Sequence, residues 1–125
     1  TNAGLSPDGS STYYMPRKIG DRRARELMLT NRVLSADEAL DWGVVNQVVA
    51  DEDVLSTATK LATKLAKGPT QAFGQVKSLL DGSFDHSLET QMELEARGIA
   101  AMIDTPDGQE GLHAFLQKRK PDFKG

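Results

Sequence analysis

Apolar residues recur at helical spacing through the second half of the chain. From residue 51 onward they stand three and four positions apart, which predicts amphipathic helices over about 54–66, 72–81, 86–103 and 106–120. Glycine and proline residues separate these stretches, and both interrupt helices. The pattern predicts a mainly α chain in which each helix presents one apolar face.

Shorter elements precede this helical region. The turn residues Asp8-Gly9 are expected to close a turn or cap a short helix over about 10–15. A second helix is predicted over about 22–30, with Asp21 as its N-cap.

A capping signal and a possible strand follow. Ser35 and Glu38 have the spacing of a capping box, and Gly43 stands where that short helix should end. The only cluster of β-branched apolar residues comes next and predicts one short strand, over about 44–49. A strand needs a hydrogen-bonding partner, and the rest of the chain predicts none.

The composition of the 125 residues excludes several classes of protein. There is no cysteine, so disulfides and thiolate chemistry are excluded. A net charge of −3 does not suit nucleic-acid binding, and no apolar run reaches the roughly 18 residues of a membrane span. The two histidines, His86 and His113, fall on different predicted helices, so no metal site is expected. We expect a cytoplasmic protein without nucleic-acid or membrane partners.

Asp8 is the carboxylate with the clearest alternative roles. It lies in a turn at the mouth of a predicted helix, where aspartate commonly caps the helix or closes the turn. The same position also suits a general acid/base facing a cleft, because Gly9, Ser10 and Ser11 are small enough to let a ligand approach. The residues themselves leave both roles open.

The end of the chain is basic although the net charge is negative. Residues 112–125 carry a net charge of +3, whereas residues 36–111 carry −9. Lys118, Arg119 and Lys120 form the centre of the basic end. Cations of this kind suit a solvated helix terminus, and they also suit a phosphate-bearing ligand.

Six segments together resemble the crotonase superfamily, that is, the enoyl-CoA hydratase/isomerase family. Their order and spacing match the family across nearly the whole chain. The segments are 4–12, 23–30, 34–39, 42–49, 110–116 and 118–121. The resemblance covers the C-terminal half of a family member, so we expect this chain to be a fragment.

The resemblance implies a fold and an assembly. Residues 1–50 would be the C-terminal end of the family's α/β spiral of ββα units, and residues 51–125 a helical trimerisation region. The other half would supply most strands, including partners for the strand at 44–49. It would also supply the backbone N–H groups of the oxyanion hole and the two glutamates of the hydratases. A homotrimer or hexamer is implied.

The resemblance also implies a chemistry. Branches of the family that place a carboxylate at the position of Asp8 include enoyl-CoA isomerases, epoxyphenylacetyl-CoA isomerases and 4-chlorobenzoyl-CoA dehalogenase. Asp8 would move a proton within an acyl-CoA thioester whose enolate is stabilised by the oxyanion hole. Coenzyme A belongs to the substrate, and no separate cofactor is implied. Phe115, Lys118 and Arg119 would meet its adenosine-phosphate end.

Two functions are therefore expected as alternatives. In the first, the chain is part of an acyl-CoA enzyme and is inactive alone, because the oxyanion hole lies in the other half. In the second, it is a non-enzymatic helical oligomerisation module in which Asp8 is only a helix cap.

Overall fold

A computed structural model describes residues 1–125, and all of its regular secondary structure is helical. Two compact units divide the chain, Thr1–Val54 and Leu55–Gly125. The seven α-helices are α1 (Ser11–Ile19), α2 (Asp21–Thr30), α3 (Ala36–Asp41), α4 (Val54–Ala66), α5 (Thr70–Gly82), α6 (Leu88–Ile103) and α7 (Pro106–Leu116). A 3₁₀ turn at Asp51–Asp53 precedes α4. The predicted mainly α architecture is confirmed.

The first unit is organised around the packing of α1 against α2. Ile19 at the end of α1 and Ala24 in α2 are its buried apolar residues. Gly20 joins the helices with a φ of 82° and is the N-cap residue of α2. The predicted N-cap, Asp21, is instead the first helical residue, and its carboxylate accepts a hydrogen bond from Arg25 Nε at 2.7 Å.

The capping box of α3 is confirmed. The Glu38 N–H donates to Ser35 Oγ, and the Ser35 N–H donates to Glu38 Oε2, each at 3.2 Å. The hydrogen bond from the Ser35 backbone is the main reason that the pKa of Glu38 is lowered. Arg32 pairs with Glu38 at 3.2 Å and lies 4.9 Å from the Trp42 ring centroid. Trp42 therefore packs against the Arg32 guanidinium.

The predicted strand over 44–49 is wrong for this chain. These residues have an irregular conformation and lie in no β-ladder. The Val44 and Val45 N–H groups both donate to the Ala39 carbonyl. These residues thus form part of the C-terminal turn of α3 and not of a strand. A strand forms only with a partner, and no other segment is extended and paired.

The second unit is a set of helices in which α5 packs on α6 and α6 on α7. Ser87 and Thr105 cap α6 and α7 through side-chain oxygens that accept backbone N–H groups. Ala114 is 1% exposed and is the only buried apolar side chain of the unit. Helix α4 has no buried residue and no comparable helical partner. None of the seven helices has both the length and the apolar character that a membrane crossing requires.

Helix α7 is shorter than predicted. The sequence pattern carried it through Lys118–Lys120, but it ends at Leu116. Lys118 has a φ of 52°, in the left-handed region, and a helix cannot continue through that conformation. The residues after it turn back along α7.

Candidate functional site

Asp8 lies in a tight turn just before α1. Gly9 and Ser10 have φ values of 60° and 62°, and the Ser11 N–H donates to the Asp8 carbonyl at 3.1 Å. Positive φ at both central residues is the signature of a type I′ turn, which explains a glycine at position 9. Ser11 Oγ also donates to the Asp8 carbonyl, at 2.8 Å. The two hydrogen bonds from Ser11 thus hold the Asp8 carbonyl in the turn.

The Asp8 carboxylate itself is unengaged. Its side chain is exposed and makes no hydrogen bond or ion pair within the chain. The N-cap residue of α1 is Ser10, and no side chain caps this helix. The expectation that Asp8 serves as the helix cap is therefore wrong. A carboxylate on a fixed turn, with all its acceptor sites open, is chemically available for proton transfer.

The predicted coenzyme A contacts lie in the second unit, at the end of α7. Phe115 is 79% exposed although it is a large aromatic side chain. Lys118 is exposed as well and follows the helix by two residues. An exposed ring followed three residues later by an exposed amine suits a ligand with an aromatic base and phosphate groups.

Arg119 differs from Phe115 and Lys118 because it already has a partner within the chain. Its guanidinium forms two hydrogen bonds with the Glu110 carboxylate, Nη1 to Oε1 at 2.6 Å and Nη2 to Oε2 at 2.8 Å. Such bidentate pairs are among the stronger ionic contacts in proteins. The charge of Arg119 is thus already matched within the chain.

Glu110 is the most perturbed carboxylate in the structure. The hydrogen bonds from Arg119 are the largest cause, and the backbone N–H of Asp122 donates to Oε1 at 2.8 Å. Together they lower the pKa of Glu110 to about 2. The same pair raises the pKa of Arg119.

Asp107 is a second carboxylate that holds the end of the chain. It is 6% exposed, and its oxygens accept the backbone N–H groups of Lys124 at 2.8 Å and Gly125 at 3.0 Å. Sequence reasoning missed this role, because an aspartate after Pro106 is ordinary in the first turn of a helix. Only its acidic character was visible; its partners lie 17 and 18 residues away.

A small apolar cavity lies beside this end of the chain. Its volume is about 230 Å³, and Phe123 forms part of its wall together with residues of α5 and α7. A Cβ atom added at Gly111 would stand 3.4 Å from the Phe123 ring, so the ring packs closely on α7. Elsewhere, no three histidine, aspartate or glutamate side chains come together as a possible metal site.

The whole chain, residues 1–125, matches the family described as enoyl-CoA hydratase/isomerase. It is 41% identical over 115 residues to 4-chlorobenzoyl coenzyme A dehalogenase-1 from Arthrobacter sp, covering 92% of this chain and 42% of that protein. It is 40% identical over 122 residues to 1,2-epoxyphenylacetyl-CoA isomerase from Escherichia coli (strain K12), covering 98% and 47%.

Solved structures agree with these sequence matches. The crystal structure of enoyl-CoA hydratase subunit I from Geobacillus kaustophilus HTA426 superposes with a TM-score of 0.93 at 35% identity, over 99% of this chain and 48% of that one. The chain spans about half the length of the curated relatives it matches. Its helices are those of the C-terminal part of these proteins, and the chain belongs to the enoyl-CoA hydratase/isomerase family.

Proposed function

We propose that this chain is the part of an acyl-CoA isomerase that carries the proton-transfer group, Asp8. The observation that carries the proposal is the state of this side chain, which is unengaged on a turn held by two hydrogen bonds. Family membership supports a thioester of coenzyme A as the substrate. Two relatives with about 40% identity are named for coenzyme A thioesters, one a dehalogenase and one an isomerase.

The proposed reaction is a 1,3-shift of a proton. The Asp8 carboxylate removes a proton from carbon 2 of a 3-enoyl thioester, and the electron pair moves onto the thioester oxygen. The resulting carboxylic acid then returns the proton to carbon 4, which leaves a 2-enoyl thioester and regenerates Asp8. One carboxylate suffices because it acts first as base and then as acid. Donors to the enolate oxygen would come from an oxyanion hole outside this chain.

The end of α7 is proposed to meet the adenosine-phosphate end of coenzyme A. Phe115 offers an exposed ring for the adenine and Lys118 an unpaired amine for a phosphate. The proposed chemistry is proton transfer throughout, so it requires no metal or redox cofactor. Arg119 contributes indirectly, since Glu110 already matches its charge.

Homotrimeric or hexameric assembly belongs to the same proposal. The chain exposes 9764 Å², whereas a folded monomer of this mass exposes roughly 6,600 Å². Leucines at positions 55 and 61 of α4 are 78% and 56% exposed. Apolar surface on this scale is typical of an interaction surface.

A hybrid protein tests the proposed activity. The part of the Escherichia coli relative that matches this chain is replaced by residues 1–125, and 3-hexenoyl-CoA is supplied as substrate. We expect conversion to 2-hexenoyl-CoA by the hybrid and none by the 125-residue chain alone. A hybrid that folds, as judged by circular dichroism and solution mass, but only hydrates 2-hexenoyl-CoA contradicts the isomerase assignment.

The exposed face of α4 also favours a second candidate, a non-enzymatic assembly module. In that case the chain forms a stable oligomer with no affinity for coenzyme A. Analytical ultracentrifugation and calorimetry with coenzyme A separate the candidates. Oligomers that bind coenzyme A support the enzyme, and oligomers that ignore it support the module.

A further inference from the structure

The ending of α7 contains an unusual residue for its backbone conformation. The Lys118 N–H donates to the Phe115 carbonyl at 3.1 Å, and the Arg119 N–H donates to the Ala114 carbonyl at 3.0 Å. These two bonds define a Schellman motif, in which glycine usually occupies the left-handed position. Here Lys118 occupies it, with a φ of 52°. A side chain with a Cβ disfavours this conformation, so the surrounding contacts must hold it.

Those contacts come from the last seven residues, 119–125, which we call the tail. The tail runs back along α7 towards its N-terminus. Glu110 accepts hydrogen bonds from Arg119 and from the Asp122 N–H. One turn earlier, Asp107 accepts the last two N–H groups of the chain, those of Lys124 and Gly125.

The two carboxylates therefore clamp the tail at both ends. Asp107 and Glu110 stand three positions apart on α7, which places them on the same helical face. Between the two anchors, the Phe123 ring packs on Gly111. The tail contact thus combines an ion pair, three backbone hydrogen bonds and one apolar contact.

The basic residues at the end of the chain fall into two groups, those with an acidic partner and those without. Arg119 is neutralised by Glu110, and Lys124 Nζ pairs with Asp122 at 2.6 Å. Lys118 and Lys120 are exposed and make no ion pair within the chain. The Schellman motif fixes the backbone of Lys118, whose N–H donates to the Phe115 carbonyl.

We infer that Glu110 and Asp107 are positioning residues, which hold Lys118 beside Phe115 in a preformed contact for the phosphate end of coenzyme A. This inference rests on the proposed function for the identity of the ligand. In this inference, the two carboxylates contribute to binding without touching the ligand. Because the backbone of Lys118 is fixed before binding, only its side chain has to be ordered when the ligand arrives.

The test uses four variants of the full chain. Glu110→Gln removes the ion pair but keeps the shape of the side chain, and Lys118→Gly removes the amine while suiting the left-handed backbone. The third variant combines the two substitutions. Glu93→Gln is the matched control, since Glu93 forms an exposed pair with Arg97 at 2.7 Å on α6. Calorimetry measures the affinity for coenzyme A, and hydrogen exchange measures protection of the Asp122 amide.

We expect Glu110→Gln and Lys118→Gly each to weaken coenzyme A binding roughly tenfold, the loss typical of one charged hydrogen bond. The double variant should be no weaker than Lys118→Gly, because Glu110 acts through Lys118. Protection of the Asp122 amide should fall in Glu110→Gln and remain in Lys118→Gly and Glu93→Gln.

Four outcomes overturn the inference. If the Asp122 amide stays equally protected in Glu110→Gln, Glu110 does not hold the tail. If the coenzyme A affinity of that variant is unchanged, Glu110 has no role in binding. Additive losses in the double variant show that Glu110 acts independently of Lys118. If the unchanged chain does not bind coenzyme A, the proposed ligand fails and the positioning role fails with it. Binding by the unchanged chain with any of the first three results leaves the proposed function standing.

Discussion

Glu110 is a carboxylate whose hydrogen-bond partners lower its pKa. It takes two hydrogen bonds from Arg119 and one from the backbone of Asp122. The coulombic effects of Arg119 and His113 act in the same direction, and partial desolvation opposes them. The net result is a pKa of about 2, well below the ordinary value of 4.5.

The depressed pKa of Glu110 predicts a pH window for the tail. A lowered pKa means that the folded state favours the ionised form, so the stabilisation is complete above about pH 4.5 and is lost as the pH falls towards 2. Carboxyl carbon resonances followed by NMR should give a Glu110 midpoint near 2. In Arg119→Gln the midpoint should rise, because the largest cause of the shift is removed. A midpoint near 4.5 in the unchanged chain contradicts this account.

Asp8 and Asp107 differ in their burial and in their hydrogen-bond partners. Asp107 is nearly buried and has two backbone donors, whereas Asp8 is exposed and has none. A side chain without partners in the fold can be changed with little loss of stability, usually within about 0.5 kcal/mol. The fold does not require the charge of Asp8, which leaves this carboxylate available for the chemistry of the proposed function.

At the level of elements, the contact of α6 with α7 depends on one glycine. A Cβ atom at Gly108 would overlap the carbonyl oxygen of Met102 in the last turn of α6. The overlapped atom belongs to the backbone, so no side-chain rotation relieves the clash. The Thr105 hydroxyl accepts the Gly108 N–H at 3.0 Å and donates to the Met102 carbonyl at 2.7 Å, which links the start of α7 to the end of α6.

Two alanine substitutions should have opposite effects on the second unit. Gly108→Ala is expected to lower the free energy of unfolding by about 1–3 kcal/mol, as overpacking commonly does. Gly74→Ala is the matched control, because Gly74 is also helical but has open space around it. That change should raise the free energy of unfolding by about 0.5–1 kcal/mol. Urea denaturation measures both, and a tolerated alanine at position 108 contradicts the described contact.

Local signals in the sequence predicted the helices well, and non-local contacts limited the rest. The capping box at Ser35 and the start of α7 at Thr105 depend on neighbours within four residues, so the sequence contains them. The strand predicted at 44–49 needs a partner strand, and the chain contains none. Lys118 was predicted to be helical, but it has a left-handed backbone because α7 ends before it and the tail turns back. In the candidate site, the turn motif singled out Asp8, whose role stays a prediction, whereas the contacts of Asp107 could not be predicted because its partners lie 17 and 18 residues away.

At the level of the whole molecule, the exposed apolar surface is the dominant feature. Only Ile19, Ala24 and Ala114 are buried apolar residues in a chain of 125. Large apolar side chains on α4, α5 and α6 remain exposed. Because apolar burial is the main favourable contribution to folding, this surface should favour association with other protein surfaces.

Substitution of one α4 leucine tests this use of the surface. Leu61→Gln should change the free energy of unfolding of the monomer by no more than about 0.5 kcal/mol, since Leu61 is already largely exposed. It should weaken self-association, which sedimentation equilibrium measures. Lys60→Gln on the same helix is the control and should leave association unchanged. Unaltered association in Leu61→Gln would show that the α4 face is not part of the interface.

The central claim is that Asp8 moves the proton, and isotope exchange tests it most directly. The hybrid protein is incubated with 3-hexenoyl-CoA in D₂O, and NMR measures deuterium at carbons 2 and 4. Asp8→Asn should reduce the exchange rate by about 10²–10⁴, the range for loss of a general acid/base. Asp41→Asn, an exposed carboxylate elsewhere in the same unit, should exchange at the unchanged rate. Exchange by Asp8→Asn at the rate of the unaltered hybrid would contradict the claim.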